Sequence, residues 1–520
     1  MSAHDRAPAA RRGRDRKAVV LPAPPGRPAA EGPRPRCAVV GGGIAGIAAA
    51  TALAERGVRV TLYERETALG GRLAGWPTEL ADGSAVTMSR GFHAFFRQYY
   101  NLRGLLRRVD PGLDGLRPLP DYPLRHSSGL HDSFARVPRT PPWSAVGFTA
   151  LSPSFGVRDL ARMNPRAALP LLDVRVPEIH RRYDDVSALE LLDRIRFPAA
   201  ARHLAFEVFS RSFFADPAEL SAAELALMFH IYFLGSSEGL LFDVPDEPYP
   251  QALWDPLGRY LEGHGVDIRT GTAVTGLRPD PRGGHLIDTA RAASEHADGV
   301  VLALDTAGLR TLTAASPHLG DGAWRARIGR LRTAPPFLVS RIWLDRPVAA
   351  HRPGFLGTSG YGPLDNISVL DAWEGEAARW AAKTGGAVLE LHAYAADPAT
   401  PPEALSHTLS EQLRRVYPET SAARVVDRRD EWRQDCPLFA VGGGADRPTV
   451  DTPDPTVTVA GDLVRTDLPV ALMERAATTG FLAANAHLRR WGLRGQTLWT
   501  VPDRGRSGLL RLLARHFGEG

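Results

Sequence analysis

The residues with the clearest chemical reading lie in one turn, Gly41-Gly-Gly-Ile-Ala-Gly46. Glycines at this spacing let a backbone approach a phosphate closely. Gly41 allows a tight turn, Gly43 removes the side chain that would meet a pyrophosphate, and Gly46 lets a helix pack against a strand. Glu64 follows 18 residues after Gly46 and can accept hydrogen bonds from ribose hydroxyls. A second cluster, Leu69-Gly70-Gly71-Arg72, adds a guanidinium whose fork suits phosphate oxygens. A third, Gly461-Asp462, sits some 390 residues later, with Met473 just beyond it. His93 stands in an aromatic stretch, Arg90-Gly-Phe-His-Ala-Phe-Phe-Arg-Gln-Tyr-Tyr-Asn-Leu102, whose rings suit an apolar cavity wall.

These groups need particular elements to position them. Cys37–Val40 reads as a short buried strand and Ile47–Arg56 as an Ala-rich helix stopped by Gly57. Val58–Tyr63 reads as a second strand that ends at Glu64. The order strand, glycine turn, helix, strand, acid is the unit that binds a dinucleotide, with phosphates at the helix N-terminus. Thr456–Ala460 is a strand by its alternating β-branched residues, and Pro469–Ala484 follows as a helix. Gly265–Val274 and Val300–Leu304 read as strands that rejoin the nucleotide-binding unit. The run Gly442-Gly-Gly444 lacks a following helix pattern and reads as a loop.

The Glu64-Arg65 pair followed by Leu69-Gly-Gly-Arg72 resembles the flavin-dependent amine oxidase and carotenoid desaturase superfamily. The resemblance implies FAD as cofactor. It implies a Rossmann-like FAD-binding domain of the amine oxidase / phytoene desaturase type, an α/β fold with an inserted α+β substrate domain. By the same resemblance Gly70, Gly71 and Arg72 meet the FAD pyrophosphate and the Val274 backbone meets the adenine. Asp462 contacts the ribityl or pyrophosphate region. Met473 offers its backbone N–H from a helix whose positive end faces the flavin pyrimidine and favours reduced-flavin charge. Glu474 is a structural cap or a flavin-side contact, and both readings stand. The Arg90–Leu102 stretch is similar to plant-type carotene desaturases at Gly91, His93, Phe95, Phe96, Tyr99 and Asn101. Within that group it resembles the branch that aromatises the β-rings of β-carotene. This implies an apolar carotenoid substrate, with Phe92, Phe95, Phe96 and Tyr99 able to stabilise a ring cation. His93 is a candidate base and equally a structural histidine. Arg90 is a candidate salt-bridge residue, and Glu238 is a weaker candidate base. Nothing in the sequence names the electron acceptor.

Composition bounds the alternatives. The 520 residues are 44% hydrophobic and 23% charged, enough for a large core and at least two domains. Residues 1–36 carry nine Arg/Lys against three Asp/Glu, so the net charge of +5 belongs to the tail. The near-neutral remainder speaks against a nucleic-acid partner. Two cysteines, Cys37 and Cys436, make no disulfide framework and point to a reducing cytoplasm. Only Lys17 and Lys383 are lysines, which counts against amine oxidation, a reaction that relatives run with a lysine near the flavin. The remaining rivals are another carotene desaturase and a flavin-free isoprenoid-binding protein of the same fold.

The expected organisation is a disordered basic tail over 1–33 and a discontinuous FAD domain from 34–120, 240–310 and 430–490. Residues 121–239 and 311–429 form the substrate domain, and 491–520 a C-terminal tail. The uncharged window Cys37–Ala54 is long enough for a short membrane span, but the glycine fingerprint inside it explains its apolarity. The Arg-rich start lacks the apolar core of a secretory signal. The stretch Pro141–Leu172 is either irregular core or a lipid-facing mouth. Leu509, Leu512, Leu513 and Phe517, with Arg511 and Arg515, form a basic amphipathic helix that either docks on the core or lies in a bilayer interface. The expected location is cytoplasmic, peripheral to the inner face of the membrane.

Overall fold

The computed structural model describes residues 15–205, 213–290 and 292–517. Its organising element is a five-stranded sheet. The strand order is Asp267–Arg269, Arg59–Tyr63, Arg36–Val40, Gly299–Leu302, Val457–Val459, and every pairing is parallel. A parallel sheet needs both faces covered, which is why its central strands are runs of Val, Leu and Ala. On one face Val39, Leu62 and Val301 pack under two helices, Ile44–Ala54 and Leu472–Arg490. All residues of Ile44–Ala54 are buried. The two helices touch closely at Gly480, where a Cβ would lie 2.2 Å from the Ala45 carbonyl oxygen. On the other face Ala38, Val40, Val300 and Val457 pack against an antiparallel three-stranded sheet and the helices Thr306–Ala315 and Gly322–Arg330.

A second sheet has seven strands, in the order Val425–Arg433, Phe337–Leu344, Ala387–Ala393, Asn366–Val369, Phe355–Ser359, Leu124–His126, His131–Asp132. It is antiparallel except where Phe355–Ser359 meets Leu124–His126. Side chains alternate across it. Leu338, Ile342, Leu389 and Leu391 turn to the helix Pro402–Val416, while Phe337, His392 and Phe355 turn to a cavity between the two sheets. Helices between Trp143 and Phe229 close that cavity from a third side.

The boundaries differ from the sequence expectation in four places. The described part of the 1–33 tail is ordered. Val19–Leu21 pairs with Leu498–Thr500, and the buried Asp15 pairs with Arg506 and accepts from the Ser237 N–H at 3.0 Å. Residues 1–14 lie outside the described residues. By the same pairing, 491–500 belongs to the body, with Leu493 and Leu498 in the core. Residues 311–330 pack on the nucleotide-binding sheet and not in the substrate domain, because Leu312, Trp324 and Ile328 share its core. Residue 430 falls inside a strand of the second sheet. Short pairings of distant segments leave no local signature, so a sequence scan places such joins by Pro and Gly alone.

Candidate active site

The glycines divide by what a side chain would meet. Gly41 has φ +112°, and a Cβ there would lie 2.2 Å from the Ala303 carbonyl oxygen. At Gly46 it would lie 1.8 Å from the Gly41 carbonyl oxygen. Both are glycine because the chain itself packs there. Gly43 is different: its Cβ would meet nothing nearer than the Gly71 Cα, at 3.7 Å. The space beside it is the cavity. The Glu64 carboxylate accepts from the Gly42 N–H at 2.7 Å and the Glu66 N–H at 2.8 Å, which anchors the strand end to the turn.

Gly70 has φ +115°, and the Trp254 indole fills the place of its side chain while donating to the Leu73 carbonyl at 2.7 Å. This aims Arg72 across the cavity at Asp462, 2.6 Å away. The two motifs nearly 400 residues apart in sequence therefore meet. The cavity holds about 760 Å³. Gly41, Gly43, Glu64, Gly70, Gly71 and Arg72 line one part of it, and Val274, Gly461, Asp462 and Met473 also border it. Gly46 does not reach it.

From Arg72 the cavity continues into an aromatic chamber. Phe92, Phe96 and Tyr99 line it, together with Phe337, Phe355 and Tyr232. Phe95 does not: it is fully buried in the nucleotide-side core, because adjacent residues of the strand Phe95–Phe96 face opposite ways. His93 borders the chamber with Nδ1 2.9 Å from the Gly91 carbonyl. Burial lowers its pKa to about 4, and the nearby His392 and Arg72 push the same way. The ring is neutral at pH 7. Arg90 is a salt-bridge residue, paired with Asp435. Glu238 is buried away from the chamber. Glu474 takes the structural reading. Its two oxygens accept from the N–H groups of Asn101 and Leu102, at 2.8 and 2.9 Å, and so cap the helix Tyr100–Leu106.

Three groups have no counterpart in the sequence reading. Glu224, fully buried, pairs with Arg447 and with Arg475 at 2.7 Å. Arg475 donates to the Asp462 and Val470 carbonyls, and Arg447 to the Leu463 carbonyl. The Asp462 loop is thus held from behind. Arg341 donates through Nε and Nη2 to Glu390, at 2.9 and 2.6 Å, beneath the chamber floor. Asn366, His392 and Tyr394 form a polar corner within it. Only the alternation Leu389-Glu-Leu-His-Ala-Tyr394 hinted at that last group.

The profile of flavin containing amine oxidoreductases matches residues 44–488. The chain belongs to the flavin-containing amine oxidoreductase family. This flavin-containing oxidoreductase is an FAD-dependent enzyme. It is 71% identical to the carotenoid phi-ring synthase of Streptomyces griseus, over 99% of each chain. It is 26% identical to the carotenoid phi-ring synthase of Chlorobaculum tepidum, over 90% of this chain and 91% of that one. Among solved structures, putrescine oxidase bound to putrescine superposes with a TM-score of 0.64 at 17% identity, covering 88% of this chain and all of that one. Cyclohexylamine oxidase from Brevibacterium oxydans gives 0.63 at 15% identity, with the same coverage. At these identities the two oxidases share the oxidoreductase's fold, and that alone is inferred from them. Its lysines, Lys17 and Lys383, are both exposed and border no part of the cavity.

His93, His230 and His487 are all buried, and burial lowers each pKa from 6.5 to about 4. Between those values each of these three imidazoles binds fewer protons in the native protein than in the unfolded chain. Their contribution to stability is therefore full above pH 6.5 and falls as pH drops toward 4, by at most about 1.4 kcal/mol per pH unit for each imidazole. His230 places Nε2 2.7 Å from the Pro502 carbonyl. His230→Gln keeps a donor there and removes the titration. Urea unfolding at pH 7, 6 and 5 should show a shallower pH slope in this variant, by up to one proton. An unchanged slope would refute the assignment.

Proposed function

We propose that this oxidoreductase converts the β-rings of β-carotene to aromatic φ-rings, giving isorenieratene. The observation that carries the reading is an aromatic chamber continuous with the space beside Gly43, in a chain so similar to a carotenoid phi-ring synthase. The residues present fit FAD. Gly41, Gly43, Gly70, Gly71 and Arg72 are assigned to the pyrophosphate, with Gly46 supporting the turn. Glu64 is assigned to a ribose, the Val274 backbone to the adenine, Gly461-Asp462 to the ribityl region, and the Met473 N–H to the flavin ring. When bound, FAD supplies the two-electron oxidant.

The ring chemistry then defines what the chain must do. A ring with two methyls on one carbon becomes aromatic only if two double bonds form and one methyl migrates to its neighbour. Hydride loss leaves a ring cation, methyl migration moves it, and proton loss ends each sequence. Phe96, Tyr99 and Phe337 present faces to this charge; such contacts contribute about 2 kcal/mol where water is excluded. His93 is a weak base here because burial disfavours its protonated form.

We also place the protein at the inner face of a membrane. No helix among the described residues is long and apolar enough to cross one. The helix Trp143–Leu151 instead exposes Trp143, Val146 and Leu151, with Val157 beyond it. Its inner residue Phe148 stacks at 4.9 Å on Phe134, which lines the chamber. One helix thus joins an exposed apolar face to the chamber wall. The helix Gly508–Phe517 exposes Leu509, Leu512 and Phe517. Lipid is the occupant that both faces fit, and it is where a carotenoid dissolves.

Three outcomes are expected. Cells that accumulate β-carotene and express this protein should yield a carotenoid lighter by eight hydrogens with no carbon gained, by mass analysis of extracts. Unchanged β-carotene would sink the substrate assignment. Gly43→Val should abolish bound flavin, read from visible absorbance of the purified protein, while circular dichroism stays native; a fully yellow variant refutes the cofactor placement. Trp143→Ser combined with Val146→Ser and Leu151→Ser should keep flavin yet lose most co-sedimentation with anionic lipid vesicles. Undiminished co-sedimentation removes this face from the membrane contact.

A further inference from the structure

Among the polar groups that line the chamber, one corner stands out. On the strand Ala387–Ala393, residues 390 and 392 share a face, and residue 394 continues it one step beyond the strand end. That face carries Glu390, His392 and Tyr394. In register, Arg341 stands opposite Glu390, and Asn366 opposite His392. The Tyr394 hydroxyl lies 2.9 Å from His392 Nδ1 and accepts from Asn366 Nδ2 at 3.0 Å. In the tautomer in which the Tyr394 hydroxyl donates to His392, Nδ1 is the acceptor. The His392 proton then sits on Nε2, which has no hydrogen-bond partner and faces the Glu390 carboxylate at 3.6 Å. Arg341 keeps that carboxylate ionised. Buried imidazole nitrogens are rarely left unpaired in a packed protein. In this tautomer the ring can take a proton at Nδ1, with an anion placed to stabilise the product. His93 has no carboxylate within hydrogen-bond reach and cannot do the same.

We propose that Tyr394 and His392 form the proton exit for the ring cation, with Glu390 and Arg341 as positioning residues. This rests on the ring-aromatising reading of the site. The cation's C–H bond breaks and its electron pair enters the ring π system. Tyr394 Oη takes the proton as its own proton passes to His392 Nδ1. After each oxidation the imidazolium passes it back by the same path to water, before the next hydride is removed from the ring. FAD, when bound, would take the electron pair of each oxidation, so atoms and charge balance.

The test separates hydride loss from proton loss in the flavin-loaded protein. His392→Asn keeps an acceptor near the Nδ1 position but cannot take the proton; Tyr394→Phe removes the relay atom. In anaerobic single turnovers with β-carotene, both variants should retain wild-type flavin content. They should bleach flavin within about threefold of the wild-type rate. The once-desaturated ring, which is all that one two-electron equivalent can give, should form about 100-fold more slowly, the size of a lost general base. A transient absorbing to the red of β-carotene, as a polyene cation does, should persist in the variants. Wild-type product rates in both variants overturn the relay. So does a loss that tracks flavin release or slows bleaching and product equally, since a structural role does that. If the wild-type protein makes no aromatic ring in cells that accumulate β-carotene, where flavin is reoxidised between turnovers, the substrate reading fails and the relay falls with it.

Discussion

One buried carboxylate holds the working parts of this molecule in register. Glu224 belongs to the helical module that closes the chamber, yet its partners Arg447 and Arg475 belong to the segments around Asp462. Those guanidiniums spend their remaining donors on the Asp462, Leu463 and Val470 carbonyls and lie 4.5 and 5.1 Å from the Phe439 ring centre. Two positive charges alone would be untenable at this depth. Glu224 between them neutralises one of the two charges, and backbone carbonyls take up donors that remain. Removing one partner of such a buried set typically costs about 3–5 kcal/mol, because the others stay buried and unpaired. The loop that carries Asp462 is therefore only as well placed as the helical module is well packed. Arg72 inherits that dependence through its ion pair with Asp462.

This explains why the two ends of the site were legible and its middle was not. The Gly41–Gly46 turn, Glu64 and the Gly70-Gly71-Arg72 turn owe their shape to local backbone requirements, which residue type reveals directly. Gly461-Asp462 follows a recognisable strand. Glu474 shows the limit. Its place beside Met473 left two readings open, and only the fold brings it to the N-terminus of Tyr100–Leu106. Glu224 and Arg447 were unreadable for the same reason: a buried charge looks like any charge until its partners are known. Phe95 and Phe96 make the point in two adjacent residues. Composition marks both as apolar wall, but the strand turns one into the chamber and the other into the core.

The chamber's chemistry follows from what its walls leave out. Its rings offer π faces, which favour a delocalised cation. The absence of a lysine from its lining agrees with that. The fold it shares with amine-oxidising structures positions an oxidant; the lining determines what is oxidised. Such a wall cannot end a cationic reaction by itself, since the last step transfers a proton to something basic. That is why the polar corner matters, and why it lies on a strand. Each strand of a sheet offers every second residue to one face, so a single strand presents Glu390 and His392, continuing to Tyr394, to one side while Leu389 and Leu391 pack the other. Rigid neighbours fix all three, where a loop would let an imidazole collapse onto water or backbone. Proton acceptance inside an apolar chamber requires a group whose partners can pass on or stabilise the proton, and alternation on a strand places Tyr394 and Glu390 on either side of His392 for that.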